Sequence, residues 1–225
     1  MLTYDELLKR LKGEAEEEFA RFQRKLIDTK AEILGVRTPT LRKIAKQLYK
    51  DSDSVLTFPD EYYEVTFLKL CLVSQLPYEK FLQTLDISLS WLDNWATCDT
   101  FKPVCIKRNL DEFLPVLLSK MQTGKEFYQR FVLVMLLTYY TDPKYLEVCK
   151  TVLKQADLTK YYVHMGTAWL TAELLIKNYD GGLEIIKENL LPAKTHNKAI
   201  QKAKESFRIT AERKEYLNIL KREKD

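Results

Sequence analysis

Trp95 and Asp99 stand four residues apart in Asn94-Trp95-Ala96-Thr97-Cys98-Asp99-Thr100, so a helix through this stretch sets an indole and a carboxylate on one face. Two more residues belong with them: Arg130, the only arginine between Arg108 and Arg208, and Trp169, inside the apolar run Gly166-Thr167-Ala168-Trp169-Leu170. Converged in space, the set offers one carboxylate, one cation and two aromatic faces that carry negative π-density. Such a site suits a cationic, sugar-bearing ligand better than an acyl or phosphoryl substrate. Each residue also has a plain packing explanation, and on spacing alone packing outweighs chemistry. Tryptophans are mostly core residues. Asp99 could cap a helix carrying Phe101 and Ile106. Arg130, among Phe127, Tyr128 and Phe131, could snorkel or pair with an acid.

The elements that must position these residues read as helices almost throughout. Glycine is scarce, at six residues, and no run alternates with a period of two. Thr3-Tyr4-Asp5-Glu6 fits a capping box before Leu7, Leu8 and Leu11. A second helix over 14–27 is expected to turn Phe19, Phe22 and Leu26 inward and a Glu-rich face to solvent. Leu34-Gly35-Val36-Arg37-Thr38-Pro39 reads as a turn in which Thr38 caps the next helix and Pro39 takes its first position. That helix points Leu41, Ile44, Ala45 and Leu48 inward and leaves Arg42, Lys43 and Lys46 outside. Further helices are expected near 60–75, 77–85, 86–96, 100–108, 110–122, 125–140, 142–155, 160–178, 181–190, 195–206 and 210–223. Thr123-Gly124, Asp142-Pro143, Asp180-Gly181-Gly182 and Leu191-Pro192 punctuate them. Short antiparallel pairs of this kind are the pattern of an α-solenoid, with a compact helical bundle as the competing architecture.

Composition bounds the function. The 225 residues are 46% hydrophobic and 30% charged, as in a folded protein with a sizeable core, and are taken as a single domain over 1–225. No apolar run reaches the ~20 residues that span a bilayer. The start, Met1-Leu2-Thr3-Tyr4-Asp5-Glu6, lacks a basic segment followed by an apolar one, so a cytoplasmic location is expected. Cys71, Cys98, Cys105 and Cys149 form no close pair and there are two histidines, so neither a zinc site nor disulfides are expected. Cys71, in Leu70-Cys71-Leu72-Val73, reads as a small buried hydrophobe, His164 as structural and His196 as a surface residue. The net charge of +4 is unevenly placed: residues 1–95 hold 14 Lys and Arg against 16 Asp and Glu, and residues 96–225 hold 22 against 16. A basic second half permits a polyanionic partner without requiring one.

The motifs Leu34-Gly35-Val36-Arg37-Thr38-Pro39, Trp95-x-x-x-Asp99, Phe127-Tyr128-Gln129-Arg130, Met165-x-x-x-Trp169 and Asn197-Lys198-Ala199-Ile200-Gln201-Lys202-x-x-Glu205-Ser206-Phe207-Arg208 occur in this order across most of the chain. Together they resemble the AlkD family of DNA alkylation repair proteins. The resemblance implies an all-α superhelix of HEAT-like antiparallel helical pairs. It also implies DNA glycosylase activity on purines alkylated at N3 or N7 in duplex DNA, without base flipping. By the same resemblance, Asp99 is the catalytic carboxylate, Trp95 and Trp169 lie against the deoxyribose and backbone of the lesion, and Arg130 holds the neighbouring phosphate.

The chemistry makes sense of that set. An N3- or N7-alkylpurine is cationic and leaves as a neutral base, so one carboxylate that stabilises the sugar cation and places water is enough. No metal or organic cofactor is required. Lys194, Lys198 and Lys202 recur every four residues with Arg208 beyond, and Arg37, Arg42, Lys43 and Lys46 cluster near the first turn. These cations are candidates for backbone contact by a monomer, or else a solvated helix face. The chain departs from the family pattern at Ala96, where relatives often carry a second acid, and in the thin positive charge around Trp169. A non-catalytic helical module that binds DNA structures or a protein therefore stands as the alternative.

Overall fold

Thr3 starts the first helix as the sequence predicts. Its hydroxyl accepts from the Glu6 N–H, and the Glu6 carboxylate accepts from the Thr3 N–H at 2.8 Å. The computed structural model describes residues 2–223 and falls into two units, Met1–Arg108 and Asn109–Asp225. The first holds α1 (Tyr4–Gly13), α2 (Glu17–Arg24), α3 (Thr38–Gln47), α4 (Ser52–Val55), α5 (Tyr63–Val73), α6 (Tyr78–Ser90) and α7 (Trp95–Thr100). The second holds α8 (Leu110–Met121), α9 (Glu126–Tyr139), α10 (Leu146–Gln155), α11 (Tyr161–Lys177), α12 (Tyr179–Lys187), α13 (Ala193–Glu205) and α14 (Ala211–Ile219). Short 3-10 turns occupy Tyr49–Asp51, Val104–Arg108 and Pro143–Tyr145. Among the described residues there is no strand beyond one isolated bridge between Glu32 and Tyr62, and the all-α expectation holds. No described helix is long and apolar enough to cross a membrane.

Several boundaries differ from the sequence expectation, each for a local reason. Residues 78–90 form one helix rather than two. Nothing in it breaks the backbone, and Thr84 and Ser88 donate their hydroxyls to the carbonyls of Lys80 and Thr84 at 3.1 and 2.8 Å. The helix expected over 100–108 is only a 3-10 turn, because Phe101 leaves α7 at ψ 88 and Pro103 disfavours helix at the residue before it. Helix α12 begins at Tyr179, ahead of the expected 181, so Asp180-Gly181-Gly182 lies within it instead of punctuating the chain before it. A side chain at Gly182 would come within 2.4 Å of the Leu175 backbone nitrogen, so the glycine is there for close approach of α12 to α11. Arg37, not Thr38, is the N-cap of α3.

The most consequential correction concerns α2. Phe22 and Leu26 were expected inside and are 55% and 50% exposed, whereas Ala20, Gln23 and Ile27 face the core. Helical periodicity leaves rotation about the axis undetermined here, since a Phe-x-x-Phe pair serves a core or a cleft equally well. His196, expected at the surface, is also buried, and its Nε2 meets the Leu220 carbonyl at 2.8 Å.

What sets the position of α2 is the turn at 34–36. Glu64, fully buried in the first turn of α5, accepts from the backbone N–H groups of Leu34 (3.1 Å), Gly35 (2.8 Å) and Val36 (3.3 Å). Gly35 needs its φ of +94, and a Cβ there would lie 2.4 Å from the Glu16 carbonyl at the start of α2. Three N–H groups and the N-terminal end of a helix offset the cost of burying this carboxylate. Glu64→Gln is expected to cost about 1–3 kcal/mol, because an amide nitrogen would face backbone donors. Gly35→Ala should also destabilise the fold, and urea unfolding of both variants measures the loss.

Candidate nucleic-acid interface

In the first unit, α7 is positioned by Asn94, whose buried side-chain carbonyl accepts from the N–H groups of Ala96 (2.9 Å) and Thr97 (3.0 Å). The cap is therefore Asn94, and Asp99 sits within the helix one turn after Trp95. Cys98 and Thr97 face the core, and Trp95 and Asp99 turn outward to a cavity of about 350 Å³. Its wall is formed by Phe19, Phe22, Leu26, Phe67 and Gln23, and Arg42 and Asp99 bring one charge of each sign. The exposed ring edge of Phe22 thus has a role that its expected core position would have denied it. Trp95 is held against the segment that follows α2 by a hydrogen bond from its Nε1 to the Leu26 carbonyl at 2.9 Å and is still 36% exposed. Trp91 does not join it, because its ring faces Lys69, whose Nζ lies 4.8 Å from the centroid.

In the second unit, Arg130 and Trp169 are brought to adjoining helices. Arg130 is buried on α9 and donates from Nη1 to the Tyr162 carbonyl at 3.0 Å, with its guanidinium 5.8 Å from the Tyr162 ring centre. Gly166 lies where α11 meets α9: a Cβ there would press on the Leu133 side chain at 3.1 Å, while its 3.9 Å to the Arg130 Cγ is ordinary contact. Trp169 follows Gly166 by three residues and is half-buried rather than core. Helix α13 runs alongside α11 in the same direction, with His164 Nδ1 2.9 Å from the Thr195 hydroxyl at one end and Arg208 3.5 Å from Glu173 at the other. Lys198 and Lys202 stand half-exposed along α13.

The remaining predicted cations divide into two kinds. Arg42 and Lys43 are exposed on α3, and Arg42 reaches the cavity. Arg37 makes a bidentate pair with Glu16, with both contacts at 2.7 Å, above the Phe19 ring. That pairing holds the Glu16 carboxyl below its usual range and raises Arg37. Arg208 likewise has an acidic partner in Glu173.

The profile of one protein family matches residues 7–203, and that family is described as DNA alkylation repair enzyme. The chain belongs to the DNA alkylation repair enzyme family. Among curated proteins, none matches it. The expected family membership is therefore shown, and with it a role in the repair of alkylated DNA. The match covers the elements that carry Trp95, Asp99, Arg130, Trp169, Lys198 and Lys202 and ends before Arg208.

Sequence reasoning missed three contributors. Glu64 could have been noticed as a lone acid in an apolar helix, Tyr63 to Val73. Gln23 is 7% exposed, its Oε1 has no hydrogen-bond partner among the described residues, and it lines the cavity. An acceptor in that position can serve a water or a ligand N–H. Tyr162 acts through its backbone carbonyl, which no side-chain pattern reveals.

Two buried histidines give the second unit a pH dependence. Burial lowers the pKa of His164 below 6.5, aided by Lys194 and Lys198, and burial lowers that of His196 despite its bond to Leu220. Folded-state values below the unfolded one mean that stability is complete above 6.5 and is lost as pH falls through the folded pKa. Thermal unfolding measured from about pH 8 down to about pH 5 should show Tm declining in the lower half, with a shallower decline in His164→Gln.

Proposed function

We propose that this protein is a DNA glycosylase that excises cationic N3- or N7-alkylpurines from duplex DNA. The observation that carries this reading is the placement of Asp99 beside Trp95 on the rim of an aromatic cavity, with Arg42 on the same wall. In the proposed reaction the C1′–N9 bond breaks and its electron pair passes to the purine, which leaves uncharged. The positive charge moves to the sugar as an oxocarbenium ion, where the Asp99 carboxylate stabilises it and orients water. Water adds to C1′ and loses its proton to Asp99 or solvent, leaving an abasic site.

The Trp95 indole supports the sugar with π-density, contributing on the order of 1 kcal/mol, and Trp169 lies against the DNA backbone. Arg130 holds a DNA phosphate, its fork oriented by the Tyr162 carbonyl. Arg42, Lys43, Lys198, Lys202 and Arg208 neutralise flanking phosphates, and Arg37 joins them by exchanging Glu16 for phosphate. Excision without base flipping is supported by the open setting of the carboxylate. Asp99 is half-exposed and Trp95 is at the surface, as attack on a sugar in the duplex requires.

The pairing of Arg37 with Glu16 and of Arg208 with Glu173 favours the second reading, a non-catalytic helical module, in its protein-binding form, because it withdraws positive charge that duplex DNA would need. Release of 7-methylguanine or 3-methyladenine from methylated duplex DNA separates the two. The wild type should release base, and Asp99→Asn should lower the single-turnover rate by about 10²-fold or more. Duplex binding with no release by the wild type would overturn the enzymatic reading.

A further inference from the structure

Phe207 is 93% exposed, the highest value of any large apolar side chain among the described residues. Leaving a phenyl ring in water forgoes the gain of burying it, so its placement calls for a reason. The ring does not sit on a loose loop. Ser206 ends α13 in an extended conformation and its hydroxyl accepts from the Arg208 N–H at 3.2 Å. Ile209 is buried in a cluster with Ala172, Leu175, Ile200, Ala203 and Leu217. Arg208 reaches Glu173 at 3.5 Å, and Glu173 also holds Lys177 at 3.1 Å. The turn is thus anchored on both sides of a ring that projects outward.

Its surroundings limit the partner. Glu173 follows Trp169 by one helical turn, so the turn at 206–209 is tied to the face of α11 that carries Trp169. From Lys194 to Arg222 the chain has nine Lys and Arg against three Glu. The flanking positions, Glu205, Ser206, Arg208 and Thr210, are all polar. A protein-binding surface would surround such an anchor with contiguous apolar area. A single rigid apolar group framed by cations is instead the arrangement that enters a nucleic-acid groove and parts a base step.

We propose that Phe207 is a wedge that inserts into the base stack of duplex DNA, while Lys202 holds a neighbouring phosphate. The proposal rests on the duplex-binding reading above and extends it to a residue outside the matched region. The wedge lowers the stacking of the step it enters and leaves the chemistry to Asp99. Damaged bases, which are the least firmly stacked, admit it most readily.

The test uses duplexes with 2-aminopurine, whose fluorescence rises on unstacking, placed at successive positions beside an abasic-site analogue. Wild type should raise the fluorescence at one step. Phe207→Ala should keep the wild-type Tm, bind about tenfold more weakly with the same salt dependence, and give no rise. Phe207→Trp should restore both binding and signal. Wild-type binding and fluorescence in Phe207→Ala would overturn the wedge and leave the duplex-binding reading intact. No duplex binding by the wild type would overturn both.

Discussion

The buried carboxylate of Glu64 is the contact on which the geometry of the first unit turns. It gathers three backbone N–H groups from residues 34–36, and this holds Gly35 against the start of α2. With α2 anchored there, Phe19, Phe22 and Gln23 form a wall opposite α7, and the Leu26 carbonyl is in place to receive the Trp95 indole. A polar group this deep is costly unless fully satisfied, and once satisfied it tolerates few alternatives. The turn therefore serves the cavity although none of its hydrogen bonds lies at the surface.

In the second unit the Arg130 guanidinium meets the Tyr162 carbonyl where α9 packs against α11. Both units thus use a backbone carbonyl to orient the residues proposed to act: Leu26 for Trp95, and Tyr162 for Arg130. Rigid support of this kind matters because the proposed site has a single carboxylate. A leaving group that is already cationic requires little acid catalysis, so rate depends on where the negative charge and the aromatic faces stand relative to the sugar.

Much of this was legible in the sequence. The capping box at Thr3, the all-α architecture and the one-turn spacing of Trp95 and Asp99 follow from local rules and are found as expected. Family membership followed from ordered motifs and is shown by the match over 7–203. What was not legible depends on tertiary partners. Periodicity alone could not tell whether Phe22 lined a core or a cavity, nor that His196 would be covered by the segment ending in Leu220. The paired glycines 181 and 182 look like a helix break because the sequence does not show the backbone of α11 pressed against Gly182. Ion pairing is hidden for the same reason: Arg37 and Arg208 read as free cations until Glu16 and Glu173 are found beside them.

The central claim is that Asp99 stabilises positive charge at the sugar. Its most direct measure is the affinity for a duplex carrying a protonated pyrrolidine in place of the lesion's deoxyribose, compared with an uncharged tetrahydrofuran at matched salt. Preferential binding of the cation by the wild type, abolished in Asp99→Asn, is the predicted result. Equal preference in the two proteins would contradict the account.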